Sequence, residues 1–172
     1  MTFTGIRSML QSVAQCLQHM HRKGKVHGDL KPLNVVRSYK GDFQLIDFDA
    51  TVDKGGRIGA KTSTAYIPPE MIADGTTPGH PIVLSHSNLA NASVSGADEA
   101  LAAHPTFDIW SFAVVAYRAL ARELLFKSDD SDNAPIAELD RIFKWNHATL
   151  DQSVRKLQRF LVSGGLLMGG DT

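Results

Sequence analysis

VHGDLKPLNVV, residues 26–36, is the stretch whose reading decides the fold. Between two β-branched hydrophobic ends it holds His27, Asp29, Lys31 and Asn34. Alone, Gly-Asp and Pro-x-Asn are turn-forming pairs, and loop geometry would explain an Asp and an Asn at this spacing. Four further features change the balance. Asp47-Phe48 follows Asn34 by 13 residues, at the end of GDFQLIDFDAT, whose apolar–polar alternation predicts a strand over 43–48. YIPPE, residues 66–70, comes after a Gly- and Lys-rich loop over 51–62. DIWSF, residues 108–112, opens a very apolar helix, and His27 precedes Asp29 by two.

The remainder of the chain bounds what those residues can belong to. Its 172 residues suffice for one domain with a core, with 43% hydrophobic and 21% charged residues. Lys+Arg and Asp+Glu are 18 each, so the formal net charge is zero and neither a nucleic-acid nor a membrane-surface binder is indicated. Cys16 is the single cysteine, which excludes an internal disulfide and fits a reducing compartment. It falls in a helical apolar pattern and reads as a buried thiol rather than a nucleophile. There is no basic-then-apolar leader pattern and no run approaching 18 apolar residues. We expect an intracellular, cytoplasmic protein.

Ile6, Leu10, Val13, Leu17 and Met20 recur at steps of four and three, one apolar face of a helix that stops near Gly24. Pro68-Pro69 allows a short helix after it. Residues 73–104 are rich in small and polar types with weak periodicity and predict a flexible surface insertion, with a small helix at 98–103. Residues 109–125 are apolar nearly all round, as a buried central helix would be. Two amphipathic segments follow at 136–145 and 154–161, and the Gly-rich end predicts no structure. The sum is a mainly α (α+β) chain with a small β element.

The motifs together resemble the C-terminal lobe of a eukaryotic protein kinase. HGDLKPLN resembles the catalytic loop HRDLKPxN, DFD the metal-binding DFG, YIPPE the element YxAPE, and DIWSFAVV the element DxWSxGxx. The 18-residue separation of Asp29 from Asp47 also suits that family. The resemblance covers residues 4–128, leaves the tail over 129–172 poorly matched, and implies a partial kinase domain whose N-terminal lobe is missing. It implies ATP and Mg²⁺ as cofactors and a protein substrate, with DLKP closer to the Ser/Thr type than to the Tyr type. Asp29 would orient the acceptor hydroxyl and take its proton, and Lys31 would steady the transferring phosphate. Asn34 and Asp47 would hold the metal, and Val36 would lie under the adenine, so that Lys31, Asn34, Val36 and Asp47 face the nucleotide. Phosphoryl transfer asks for this kind of positioning and charge neutralisation rather than covalent chemistry. His27 and Phe48 would stack between the lobes, Asp108 would accept N–H groups of the catalytic loop, and Ser63 would brace Asp29 and Lys31.

Several positions depart from the family. Gly28 stands where the phosphate-reading Arg is usual, and no Ser, Thr or Tyr lies between Asp53 and Lys61, so no activation by loop phosphorylation is expected. Asp49 replaces a Gly and would either add a metal contact or repel nucleotide. Glu70 lacks its usual late Arg partner, for which Arg155 or Arg159 could substitute. With no Gly-rich phosphate loop or strand lysine ahead of residue 4, an exposed lobe face is expected, open to a docking partner. Two other readings compete. HGDL and LIDFD also resemble aminoglycoside and choline kinases, which lack the YxxPE and DxWS elements. A non-catalytic, pseudokinase-like interaction module is the other.

Overall fold

The computed structural model describes residues 1–59, 61–75, 80–85 and 101–163. Helix α1 (Phe3–Arg22) begins at Thr2, whose hydroxyl accepts the Gly5 N–H at 3.2 Å. It buries Ile6, Met9, Val13 and Leu17, while Leu10 and Met20 are half-buried at the edge of that face. The helix ends where Gly24 takes φ 70°, the left-handed conformation that glycine adopts without steric cost. Cys16 is half-buried and packs against the core as a free thiol.

Three antiparallel strand pairs follow. β1 (Lys25–Val26) pairs with β4 (Val52–Asp53), and β2 (Val35–Arg37) pairs with β3 (Phe43–Leu45) in the register Val35↔Leu45 and Val36↔Gln44. β3 is shorter than the alternation predicts, because the chain turns after Leu45 and Asp47 takes φ 63°. β5 (Ile72–Asp74) pairs with β6 (Pro81–Val83). Short 3-10 turns cover Pro32–Asn34, Thr64–Tyr66 and Pro69–Met71.

The β5–β6 pair corrects the expectation of a flexible insertion beginning at residue 73. Ala73 is 6% and Leu84 3% exposed, and further on Leu101 and Ala103 are each 1% exposed. Burial of these few apolar positions overrides a composition that reads as loop. The expected helix at 98–103 falls partly outside the described residues, and within them residues 101–103 are not helical: Leu101 lies in a turn and Ala102 is bridged to Arg57.

Helix α2 (Pro105–Ala121) starts earlier than its apolar run, since His104 caps it and Pro105 occupies the first turn. It stops at Arg122, which adopts φ 57°. Its burial is incomplete: Phe107, Asp108, Val114 and Val115 are buried, but Ile109 is 53% exposed. α3 (Ile136–Phe143) and α4 (His147–Ser163) complete the described chain, with α4 packed on α2. An aromatic cluster links these helices: Trp110 stacks at 6.2 Å from Phe126, and Trp145 meets both edge-on at 5.5 and 5.3 Å. Among the described residues no helix is long and apolar enough to cross a membrane.

α1 packs on β1, β3 and α2, and its buried face joins the same core cluster as Leu30 of the loop at 27–34. Leu17, 2% exposed, sits at its centre. Replacement by Ala is expected to lower the unfolding free energy by about 2–5 kcal/mol. Tyr39→Ala, at a position 94% exposed, should change it by less than about 0.5 kcal/mol. Urea titration of both variants measures the contrast.

Candidate active site

The loop after β1 is fixed from below by one carboxylate. Asp108, in the first turn of α2, is fully buried and accepts the backbone N–H groups of His27 at 2.9 Å and Gly28 at 3.0 Å. His21, from the last turn of α1, places Nε2 at 2.7 Å from the same side chain. A carboxylate so buried is tolerated when its oxygens are taken up by donors, and three partners from two elements do that here. The sequence pattern pointed to Asp108 for this place but not to His21.

Gly28 has a steric reason to be glycine. Its φ is +80°, and a Cβ built there would lie 2.6 Å from the Ala50 carbonyl oxygen, backbone that cannot swing aside. The loop therefore passes the chain after Asp47 at a distance that excludes a side chain.

With its base pinned, the loop presents Asp29, Lys31 and Asn34 together. Ser63 N–H donates to Asp29 Oδ1 at 2.8 Å, and Lys31 Nζ lies 3.3 Å from Oδ2 while donating to Ser63 Oγ at 2.8 Å. Asn34 is 4% exposed and donates Nδ2 to the Asp29 carbonyl at 2.8 Å, with a longer contact of 3.4 Å to Oδ2. Asp29 is thus held on both oxygens, by a backbone N–H and by a cation. Ser63 is the brace, reached from 34 residues away in sequence.

Asp47 enters from β3. The Ile46 N–H donates to the Asn34 carbonyl at 3.0 Å, which sets Asp47 one residue beyond that pairing. Its left-handed φ of 63° is one that Asp tolerates better than most residues. The Asp47 carboxylate is exposed and has no hydrogen-bond partner among the described residues. Asn34 spends its amide nitrogen on Asp29, so its amide oxygen has no protein donor among them. An oxygen of each residue is therefore available to a hard cation. Among the described residues no group of three or more His, Cys, Asp or Glu could hold a metal, so a cation here would take two protein oxygens and find its others elsewhere. Val36, on β2, is half-buried and paired with Gln44.

Phe48 stands over His27 with ring centroids 5.5 Å apart and planes at 51°. Burial pushes the His27 pKa below its ordinary 6.5, against the upward pull of Asp108, the Ile46 backbone, Asp29 and Asp47. Asp49 turns away toward Lys61, 3.4 Å off, with both side chains 76% exposed. Glu70 is exposed, and among the described residues it pairs with neither Arg155 nor Arg159.

The direction of the His27 shift sets a pH dependence. Because the folded pKa is the lower one, the unfolded chain takes up its proton first as pH falls. The stability contributed by neutral His27 is complete above pH 6.5, declines as pH drops from there toward the folded pKa, and levels off below it. Urea unfolding between pH 8 and pH 5 should show that decline, with a shallower slope in His27→Leu; equal slopes would contradict it.

The family model for the protein kinase domain matches residues 1–163, a range that runs through α4. Mitogen-activated protein kinase kinase 10 of Arabidopsis thaliana is 34% identical over 68 residues, which is 39% of this chain and 22% of that protein. The probable serine/threonine-protein kinase mkcD of Dictyostelium discoideum is 30% identical over 122 residues, 69% of this chain and 15% of its own length. CBL-interacting protein kinase 21 of Oryza sativa subsp. japonica is 28% identical over 159 residues, 88% of this chain and 26% of the relative. The chain thus spans between 15% and 26% of the length of these three relatives. Among solved structures, the Cydia pomonella granulovirus kinase superposes with a TM-score of 0.55 at 18% identity, covering 90% of this chain and 51% of that one. That likeness is one of fold.

Proposed function

The chain belongs to the protein kinase domain family, and from that premise we propose that it supplies the catalytic lobe of a Ser/Thr-type protein kinase. The complete site would move the γ-phosphate of ATP to a protein hydroxyl. The observation that carries this reading is the grip on Asp29, with Ser63 N–H on one carboxylate oxygen and Lys31 beside the other. A carboxylate held in this way is oriented for a hydroxyl proton, while the cation next to it faces the phosphate that the hydroxyl attacks. As the oxygen–phosphorus bond forms, the bond from the γ-phosphorus to the bridging oxygen breaks, ADP leaves, and the hydroxyl proton passes to Asp29. Ser63 keeps the two charged residues in register, because it binds both.

Asn34 and Asp47 would hold Mg²⁺, each with an amide or carboxylate oxygen unclaimed by donors among the described residues. Bound there, the metal would neutralise charge on the phosphate oxygens. Val36 would offer an apolar floor to the adenine. Asp49 is directed to Lys61 and is assigned neither a metal contact nor a repulsive one. Leu33, Ile46 and Phe48, neighbours of these residues in the chain, are 68%, 40% and 52% exposed. Such exposure supports a second lobe closing over this face and excluding water from the nucleotide; it equally favours the alternative of a non-catalytic docking module. The lone Cys16 and balanced charge support an intracellular, cytoplasmic setting.

No transfer is expected from this lobe alone; with the chain joined to a second kinase lobe, incubation with Mg-ATP and a serine-rich protein such as casein tests the reading, alongside Asp29→Asn. Transfer should fall by about 100-fold or more in that variant and should stop when EDTA removes the metal. Mg-dependent nucleotide binding should be lost in Asp47→Asn and kept in Asp49→Asn. Transfer that survives Asp29→Asn would sink the assignment, and phosphorylation of choline or an aminoglycoside in place of protein would move the chain to that other class.

A further inference from the structure

Beyond the site itself, three backbone hydrogen bonds tie the segment that follows Asp47 to the chain just ahead of α2. Gly55 N–H donates to the Ala103 carbonyl at 2.8 Å, Ala103 N–H donates back to the Gly56 carbonyl at 2.6 Å, and Ile58 N–H donates to the Leu101 carbonyl at 2.8 Å. Arg57 and Ala102 form the antiparallel bridge between them. The pairing is sealed by apolar burial, with Ile58 4% exposed and Leu101 and Ala103 each 1%. On its other side the same segment is held by β1, through the Val26↔Val52 register and the Lys54 N–H donated to the Gly24 carbonyl at 2.7 Å.

Five residues after Ala103 comes Asp108, which holds the loop at His27 and Gly28. One short stretch, 101–108, therefore grips both loops that meet at the site. The grip on residues 55–58 includes peptide hydrogen bonds and buried apolar side chains, and these do not depend on a charge being added. Residues 53–61 hold no Ser, Thr or Tyr, and Gly28 offers no side chain to bind a phosphate.

We propose that residues 101–103 are the positioning element of the segment after Asp47, fixing it by backbone pairing and by burial of Ile58 and Leu101, so that its order requires no phosphate. In a loop ordered by a phosphate, order appears only after modification, through new charge-assisted bonds. Here the same degrees of freedom are removed at folding, as in a sheet edge. Leu101 and Ala103 touch no reacting atom and act through the segment that they hold. The inference rests on placing that segment in a phosphoryl-transfer site, yet its test needs no turnover, so the two can fail separately.

Hydrogen exchange followed by NMR on the full chain, shown by intact mass to carry no phosphate, is the experiment. The amides of Gly55, Ile58 and Ala103 should exchange at least about tenfold more slowly than in an unstructured chain. Leu101→Asp should erase that protection while the amides of α1 keep theirs, and Leu101→Ile should restore it. Ala103→Pro, which deletes the donor to Gly56 without burying a charge, should free the Gly55 amide in the same selective way, and it decides the matter where Leu101→Asp fails to fold. Unstructured rates at these amides in the unmodified chain would overturn the proposal, as would protection that appears only after phosphorylation. Loss spread evenly over α1 and the segment in Ala103→Pro would also overturn it, showing a general structural role instead.

Discussion

A single buried carboxylate sets the geometry from which the rest follows. Asp108 lies at zero exposure and gathers His27 N–H, Gly28 N–H and the His21 ring, groups from a loop and from the end of α1. Hydrogen bonds to a charged acceptor contribute about 1.5–3 kcal/mol each, and removing such an acceptor strands its donors in a dry interior. The loop at 27–34 has no helical or sheet ladder over most of its length to define its path. Its path is defined by that carboxylate, and α1 and α2 are the rigid bodies that hold the two ends of the connection. Asp29, Lys31 and Asn34 inherit their positions from it.

The second constraint is close approach. At Gly28 the loop runs so near the Ala50 carbonyl that a Cβ would lie 2.6 Å from it. This departure from the family pattern reads, in sequence, as loss of a phosphate-binding side chain. In three dimensions it is also a packing requirement: with φ at +80°, glycine is the residue that fits without strain. The backbone pairing of residues 55–58 with 101–103 is a second close approach, made by peptide hydrogen bonds and apolar burial. The exposed Asp49–Lys61 pair, at 3.4 Å and 76% exposure on both sides, adds little by comparison.

Much of the candidate site's local arrangement was legible because the residues proposed for it lie close in sequence and each carries a distinctive chemistry. Asp29, Lys31 and Asn34 fall within six positions, and Asp47 comes two residues after a strand whose alternation is plain. Asp108 and Ser63 could be named from motif position. His21 could not: at a helix end, a His has many uses, and its partner is 87 residues away. Nor could the aromatic cluster be read, since only the fold brings Trp110 of α2, Phe126 of the following connection and Trp145, just past α3, within 5.3 to 6.2 Å. The described ends of the stretch at 73–104 show the same thing from the other side. Its small and polar composition reads as loop, while burial of Ala73, Leu84, Leu101 and Ala103 is decided by neighbours distant in the chain.

By itself, then, the sequence determined the family, the helical face of α1, the presence of a strand starting at Phe43 and the cluster of oxygen- and nitrogen-bearing side chains in one loop. These are local properties: periodicity, turn chemistry and spacing act over a few residues and need no partner to be recognised. Tertiary structure alone decided that Asp49 turns to Lys61, that Glu70 stands without an arginine among the described residues, and that His21 joins Asp108. It also decided that residues 101–103 clasp the segment after Asp47. Those outcomes depend on which side chains are buried together and which buried donors find acceptors, and such choices are made only when distant parts of the chain exclude water from the same space.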